Sequence, residues 1–350
     1  MKGQLCTQRD VAREAGVSQA VVSAVINGQT IRIGASEEVR IRVRAAARKL
    51  GYRLHAGARS MRVRKLGTIG YFAPGRFRWD FDFPGTRPGL FDMASELGFR
   101  VVYARLGGEE EIPRVLQEFS LDGLILHHGG KLESGLLPHL RRHQIPAVFL
   151  NDRHSSNSVY VDDSGAGQAM TAHLLERGYR HIVYFSTMAF LADHHSWIDR
   201  VQGYTAALKP AGLEPTTLLV DGGKRESARA GLLALLEGRQ PPDAVLCHTD
   251  HDATILHSYL HGSRFVVPRD FAVAGFEGDP VCANYLPLPL TTMRIDRYEM
   301  ARAAVGLLAR LIKDGYAKRL SSVVFRPDLI EGLSAPTKLK QPKSKTRNNP

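Results

Sequence analysis

Asp10-Val11-Ala12-Arg13-Glu14-Ala15-Gly16-Val17-Ser18-Gln19-Ala20-Val21-Val22-Ser23-Ala24-Val25-Ile26-Asn27-Gly28 is the stretch from which the architecture is read. Thr7 is a fitting N-cap for a helix running from Gln8 to Ala15, and Gly16 permits a sharp turn. Ser18 caps a second short helix, Gln19 to Ile26, which Asn27-Gly28 ends. Val11, Ala15, Val22 and Ile26 fall where the two helices can share a small core. Two short helices joined at a glycine, with small residues at the crossing, describe a helix-turn-helix, whose second helix presents its N-terminal side chains to a DNA major groove. A third helix is expected from Glu37 to Leu50, capped by Ser36 and stopped by Gly51. Its apolar stripe is Val39, Val43, Ala46, Ala47 and Leu50, and Arg40, Arg44 and Arg48 line another face.

The charge distribution agrees with a polyanionic partner for this head. The chain of 350 residues carries 47 Lys+Arg and 35 Asp+Glu, a formal charge of +12. Residues 1–66 hold a balance of +10, residues 336–350 hold +5, and residues 67–335 hold −3. A basic head on a near-neutral body points to nucleic acid, the alternative being a solvated basic surface. The hydrophobic share of 43% argues against wholesale disorder and supports two or three domains. The absence of an apolar run of about 18 residues argues against a membrane span. Met1-Lys2-Gly3-Gln4 leads into a charged stretch with no apolar core of a secretory signal. Cys6, Cys247 and Cys282 are odd in number and far apart, so a reducing cytoplasm is expected.

Asp10-Val11-Ala12, Ala15-Gly16-Val17-Ser18, Val22-Ser23, Val25, Asn27-Gly28 and Leu50-Gly51-Tyr52 together resemble the head of the LacI/GalR family of bacterial transcriptional regulators. Ala58-Arg59-Ser60-Met61-Arg62 resembles that family's hinge helix, and Gly67-Thr68-Ile69-Gly70 its first core strand. Order and spacing match, apart from a slightly expanded loop around Thr30–Ala35. The resemblance implies a cytoplasmic, nucleoid-associated homodimer, most simply a repressor, that binds a pseudo-palindromic double-stranded operator. It places DNA contacts at Thr7, Ser18, Gln19, Ala20, Val21, Ser23, Ala24, Asn27, Arg32, His55, Ala58, Arg59 and Met61. Gln19 suits an adenine edge, whereas Ala20 and Ala24 offer only methyl contacts, so direct base readout is thin. Arg32 either meets phosphate or is simply solvated. Leu54-His55 stands where Pro-Asn is usual, and Gly57 weakens the hinge helix by about 1 kcal/mol. Met61 is either an apolar wedge between base steps or an ordinary linker residue.

From residue 67 the chain alternates between short apolar runs and helical periods. Strands are expected at Leu66–Phe72, Phe99–Tyr103, Gly123–His127 and Ala147–Leu150, with helices at Gly89–Leu97 and Glu110–Phe119. A second series has strands at His181–Phe185, Thr217–Val220, Ala244–Cys247 and Phe271–Ala274. Its helices are Gly165–Arg177, Val201–Leu208, Ala228–Leu236 and Asp252–Leu260. Such alternation predicts parallel sheets with helices on both faces, an α/β core of two similar lobes. The periplasmic-binding-protein-like core that the resemblance implies crosses between lobes near 163, 294 and 323. The expected organisation is therefore a head at 1–53, a hinge at 54–66, one lobe from 67–163 and 295–323, the other from 164–294 and 324–335, and a disordered basic tail at 336–350.

Ligands of open α/β sheets sit beyond the carboxyl ends of strands. Similarity to the family places effector contacts at Asn151, Arg200, Thr249, Asp250 and Glu277. Arg200 precedes Gly203-Tyr204, and its guanidinium fork suits sugar hydroxyls or a carboxylate. Trp79 and Phe81, within Phe77–Phe83, either stack on a sugar or fill an interlobe hinge or dimer surface. No metal and no cofactor is expected: His127-His128, His194-His195, His248/His251 and His257/His261 lack a ligand set, and no phosphate-binding or nucleophile motif occurs. Asp162-Asp163 matches paired catalytic carboxylates less well than the Val-Asp-Asn element that opens the family's second lobe. The reading is thus a non-enzymatic regulator with a sugar or sugar derivative as its effector; the alternative is a sugar-binding or sugar-modifying protein without DNA function.

Overall fold

The computed structural model describes residues 6–26, 36–52, 66–74, 85–106, 112–117, 121–127, 135–189 and 192–338. The chain divides into two compact units, Met1–Leu66 and Gly67–Pro350.

In the first unit α1 (Gln8–Ala15), α2 (Gln19–Ile26) and α3 (Glu37–Lys49) pack around Val11, Ala12, Ala15, Val22, Val25, Val43 and Ala46. Capping sets each start. The Asp10 amide donates to Thr7 Oγ1 at 3.4 Å, and the Thr7 amide donates back to Asp10 Oδ2 at 2.9 Å, a reciprocal capping box. Gly16 ends α1 at φ 63°, a left-handed conformation that a residue with a Cβ adopts at a cost. The Val21 amide donates to Ser18 Oγ, and the Val39 amide to Ser36 Oγ, each at 3.4 Å. Lys49 reaches back to Glu14 at 2.6 Å, tying α3 to α1.

The second unit holds two six-stranded sheets of matching topology. Its elements in order are β1 (Thr68–Pro74), α4 (Thr86–Glu96), β2 (Arg100–Leu106), α5 (Arg114–Gln117), β3 (Gly123–His127), α6 (Leu136–Arg142), β4 (Ala147–Leu150) and β5 (Ser158–Val161). There follow α7 (Asp163–Glu176), β6 (Ile182–Ser186), α8 (His195–Leu208), β7 (Thr216–Leu219), α9 (Arg225–Glu237), β8 (Ala244–Cys247), α10 (Asp250–Leu260) and β9 (Ala272–Glu277). Last come α11 (Pro280–Ala283), β10 (Thr291–Arg294), α12 (Arg297–Asp314), β11 (Val323–Phe325) and β12 (Asp328–Ile330). The first sheet runs β11-β5-β4-β3-β1-β2, every pairing parallel. The second runs β12-β10-β9-β8-β6-β7, parallel except that β12 pairs antiparallel with β10.

Both faces of each sheet are covered, which is why β3, β6 and β8 are continuous runs of buried residues. Leu90, Ile125, Val148 and Leu308 belong to the core on one face of the first sheet, and Phe72, Leu124, Leu126 and Leu140 to that on the other. Met170, Tyr184, Tyr204 and Phe276 occupy one face of the second, and Phe185, Val245, Leu256 and Val273 the other.

Several details depart from the sequence reading. The longest helix among the described residues, α12, was absent from it, as were α6, β5, β10, β11 and β12. Of the expected helix Glu110–Phe119, the helical part among the described residues is Arg114–Gln117. Val324 and Phe325 pair with Tyr160 and Val161 in the first sheet, so they belong to the first lobe and not the second. The expected tail begins too early. The Lys338 amide donates to the Arg177 carbonyl at 2.9 Å, and its ammonium lies 2.7 Å from Asp243.

Candidate functional site

On the head, Gln19 and Ala20 are exposed at the N-terminal end of α2, as are the capping residues Thr7 and Ser18. Val21 and Ser23 are half-buried. Ala24 is only 6% exposed, so the methyl expected to meet a base is covered here, and the exposed reading edge narrows to Gln19 and Ala20. The periodicity explains part of this, since Val22 and Val25 flank Ala24 on the side turned to the core. Asn27, Arg32, His55, Ala58, Arg59 and Met61 lie outside the described residues, as do Trp79 and Phe81 of the core.

In the core, polar side chains gather at the carboxyl ends of the second sheet. Closeness of α7 and α8 makes this possible. A Cβ on Gly203 would overlap the Ser164 carbonyl, and one on Gly167 the Arg200 carbonyl. With both helices in contact, Arg200 Nε donates to Asp163 Oδ1 at 2.7 Å, and Nη1 donates to the His248 carbonyl at 2.7 Å. The guanidinium also lies 4.8 Å from the centre of the Phe276 ring. Arg200 is therefore a clamped group and not the open fork the sequence suggested. Tyr204, which follows Gly203, anchors the helix from below: its hydroxyl donates to the Ile182 carbonyl and accepts from the Thr216 amide.

Around this pair the remaining candidates are also engaged. Thr249 caps α10, its hydroxyl accepting from the Asp252 amide and donating to Asp252 Oδ2, both at 3.0 Å. Asp252 is fully buried, and burial pushes its carboxyl up despite hydrogen bonds from Thr187 and Ser186. Asp250 accepts from the Thr292 hydroxyl and from the Asp279 amide, each at 2.7 Å. Burial carries Asp250 up to about 7, with those hydrogen bonds opposing and the charges of Glu277 and Asp279 assisting. Glu277 sits at φ 110°, a strained conformation for a residue with a side chain, and accepts from Arg297 Nη2 at 2.9 Å. That pair joins the end of β9 in the second lobe to the start of α12 in the first. Asn151, at φ 57° and buried, ends β4 in the first lobe. Two residues on, Arg153 bridges to Asp199 of α8 at 3.3 Å.

Sequence reasoning missed four residues of this wall: Asp163, Tyr184, His195 and His248. In sequence these histidines read only as candidate metal ligands without a ligand set. The Tyr184 hydroxyl meets His248 Nδ1 at 2.9 Å, and in the first lobe the Tyr71 hydroxyl meets His127 Nδ1 at 2.7 Å. The register is the same in both lobes. Tyr71 lies beside Ile125 and Tyr184 beside Leu246, so each histidine is two residues past its tyrosine's neighbour. Each pair spans the point where strand order reverses, between β1 and β3 and between β6 and β8, where ligands of doubly wound sheets bind. What repeats is the strand register and not the sequence spacing, which is 56 residues in one pair and 64 in the other, so the available signal was only a Tyr in the first strand of each series and a His at the end of the strand that pairs with it. Trp197 packs edge-on against both Tyr184 and His248. Burial pushes the His248 imidazole well down, with Arg200 adding to the shift, so it is neutral.

The family of bacterial regulatory proteins named for lacI matches residues 7–54, and the periplasmic binding protein-like domain matches residues 171–335. The chain belongs to the lacI family of bacterial regulatory proteins. The HTH-type transcriptional repressor PurR of Vibrio atlanticus is 27% identical over 344 residues, spanning 95% of this chain and 99% of that protein. A solved complex of the transcriptional regulator CelR with cellobiose is 25% identical, covers 94% of this chain and 99% of its own, and superposes with a TM-score of 0.65. The lac repressor dimer bound to operator and the anti-inducer ONPF has the same fold, at a TM-score of 0.79 and 20% identity over 95% of this chain and 100% of its own. As a lacI family member, this chain is a DNA-binding transcriptional regulator. Among the described residues no helix is long and apolar enough to cross a membrane.

Proposed function

We propose that this lacI family regulator is a cytoplasmic repressor that acts as a homodimer on a pseudo-palindromic operator and is switched by a small carbohydrate-like effector held between the lobes of its core. The observation that carries the reading is the pairing, in one chain, of a helix-turn-helix with an exposed N-terminal edge on α2 and a separate unit whose polar side chains converge at a strand-order reversal. In the head, Gln19 reads an adenine edge and Ala20 a thymine methyl. Thr7 and Ser18 present the first turns of α1 and α2 to phosphates, aided by Val21, Ser23, Asn27 and Arg32. His55, Ala58 and Arg59 follow the minor groove, and Met61 wedges into a base step.

In the core, Arg200, Glu277, Thr249, Asp250 and Asn151, with Trp79 and Phe81, surround the effector. The complex of CelR with cellobiose supports a carbohydrate as its class. Exposed apolar side chains support the dimer: Phe91, Leu97 and Tyr103 on the first lobe, Val281 and Tyr285 on the second. Binding changes operator affinity because the effector distinguishes two arrangements of the lobes; equal affinity for both would shift nothing.

The test is operator titration with fragments selected from genomic DNA. The full chain is expected to bind with a steep salt dependence, log affinity falling by about 0.9 per log unit of salt for each phosphate neutralised. A fragment of residues 67–350 is expected to fold and not bind. Comparable operator binding by that fragment overturns the reading. So does a monomer that holds a half-site as tightly as the dimer holds the full site.

A further inference from the structure

Two guanidinium groups line the polar wall, and each already has its carboxylate: Arg200 with Asp163, Arg297 with Glu277. Both cations of the wall are therefore neutralised before any ligand arrives. Asp163 is 2% exposed, and only one of its oxygens is used, since Oδ1 takes the Arg200 hydrogen bond while Oδ2 is buried with no hydrogen-bond partner. Beside it, His195 has both ring nitrogens buried and unpartnered, with Nε2 3.8 Å from Asp163 Oδ2, beyond hydrogen-bond reach. Burial pushes this imidazole down against the pull of Asp163, Asp152 and Asp199, so it is neutral, with one donor and one acceptor nitrogen. A buried polar atom without a partner is costly, and three such atoms together mark a place where solvent or a ligand supplies the missing bonds.

The chemistry of that group follows from the atoms. Asp163 Oδ2 only accepts, and the neutral imidazole gives one hydrogen bond and takes one. Hydroxyl groups satisfy all three. A carboxylate or phosphate brings negative charge and would face the Asp163 carboxylate, while the cation suited to it, Arg200, is already neutralised. We infer that Asp163 and His195 form a specificity subsite that reads a pair of hydroxyls on an uncharged ligand, and that Asp163, by pairing Arg200, excludes anionic ligands from it. This inference rests on the proposal that the core binds an effector, and it narrows the two ligand classes that an open arginine fork admits to one.

The decisive probe is inorganic phosphate, read by thermal melting of the full-length protein against chloride of equal ionic strength. The wild-type protein is expected to show no phosphate-specific rise in melting temperature that depends on Arg200. Asp163→Asn, which keeps the shape but releases the arginine's charge, is expected to gain such a rise, and Asp163→Asn with Arg200→Met to lose it. A wild-type rise that Arg200→Met removes overturns the inference, as does a folded Asp163→Asn protein that gains none.

A second arm needs no variant at Asp163. Calorimetry of the wild-type protein with D-glucose against D-gluconate, and with D-ribose against D-ribose 5-phosphate, is expected to favour the neutral member of any binding pair by at least about tenfold. Preference for the anion overturns the inference. His195→Gln is expected to weaken the bound neutral sugar by about tenfold to a hundredfold. If a sugar binds with this selectivity yet leaves operator affinity unchanged, the regulatory proposal fails while the subsite stands.

Discussion

The two lobes of the core share a strand order and a Tyr–His pair in one register, yet they treat the ends of their sheets differently. In the second lobe that edge carries Asp163, Arg200, His248, Thr249, Asp250 and Asp252, all buried and nearly all hydrogen-bonded. In the first, the buried polar groups at the corresponding strand ends among the described residues are His127 and Asn151. Among the described residues, the same fold thus supports a wall of buried, hydrogen-bonded polar groups on one side and fewer such groups on the other. The second lobe is built to hold its polar groups fixed, because an ion pair out of water is tolerated only when its partners are placed for it.

The strongest way to break this contrast is to unpair the wall. Arg200→Met leaves the Asp163 carboxylate buried without its cation and is expected to cost about 3–5 kcal/mol of core stability. Adding Asp163→Leu is expected to recover most of that, since neither charge then remains. Chemical denaturation of the single and double variants measures both; a double variant no more stable than the single would show that the pair is not what the wall depends on. Next in size is the helix contact beneath it. Gly203→Ala places a methyl against the Ser164 carbonyl, where backbone, not a flexible side chain, must yield. A loss of about 1–3 kcal/mol is expected, and an equal loss at Gly306, also within a helix and with nothing nearer its Cβ than 3.7 Å, would argue against a packing cause.

Comparing the repeated pairs sharpens the contrast further. Tyr184→Phe removes a hydrogen bond to a fully buried imidazole and is expected to cost about 1 kcal/mol; Tyr71→Phe, in the more accessible first lobe, is expected to cost no more. Parallel melting curves decide the order.

The last test is a pH dependence. Asp250 titrates at about 7 in the folded protein, above its ordinary 3.8, so between those values the folded state holds a proton that the unfolded chain has released. Its contribution therefore makes the protein more stable as pH falls from about 7 toward about 4. His195 and His248, held low by burial, act with the opposite sign below about 6.5. Both are retained in Asp250→Asn, so the difference between wild type and variant isolates the carboxyl. That difference is expected to change by less than the about 1.4 kcal/mol per pH unit that one full proton allows. A flat difference from pH 4 to 8 would remove Asp250 from the titrating groups.

Local sequence determined a good deal of this molecule. Thr7, Gly16, Ser18 and Ser36 mark the three head helices because caps and left-handed turns involve neighbours within four residues. Continuous apolar runs announced β3, β4 and β8, since a strand covered on both faces has no polar side to hide. Arg200, Thr249, Asp250 and Glu277 were legible through the family pattern and do gather at the strand ends. The helix α12 was not, although its caps and stripe are ordinary, because it follows the strands of the second lobe in the chain yet packs in the core of the first.

What only the tertiary structure decided are the partners. Asp163 and Arg200 are 37 residues apart and Tyr184 and His248 are 64 apart, so no periodicity joins them. Asp163 reads in sequence as the start of an element and His195 as half of a histidine pair. They become a site because Gly167 and Gly203 let α7 and α8 touch, which brings one carboxylate to an arginine and leaves its other oxygen beside an imidazole. A residue's type sets what it can bond. Packing sets which of those bonds the protein itself fulfils, and the unfulfilled remainder is what a ligand meets.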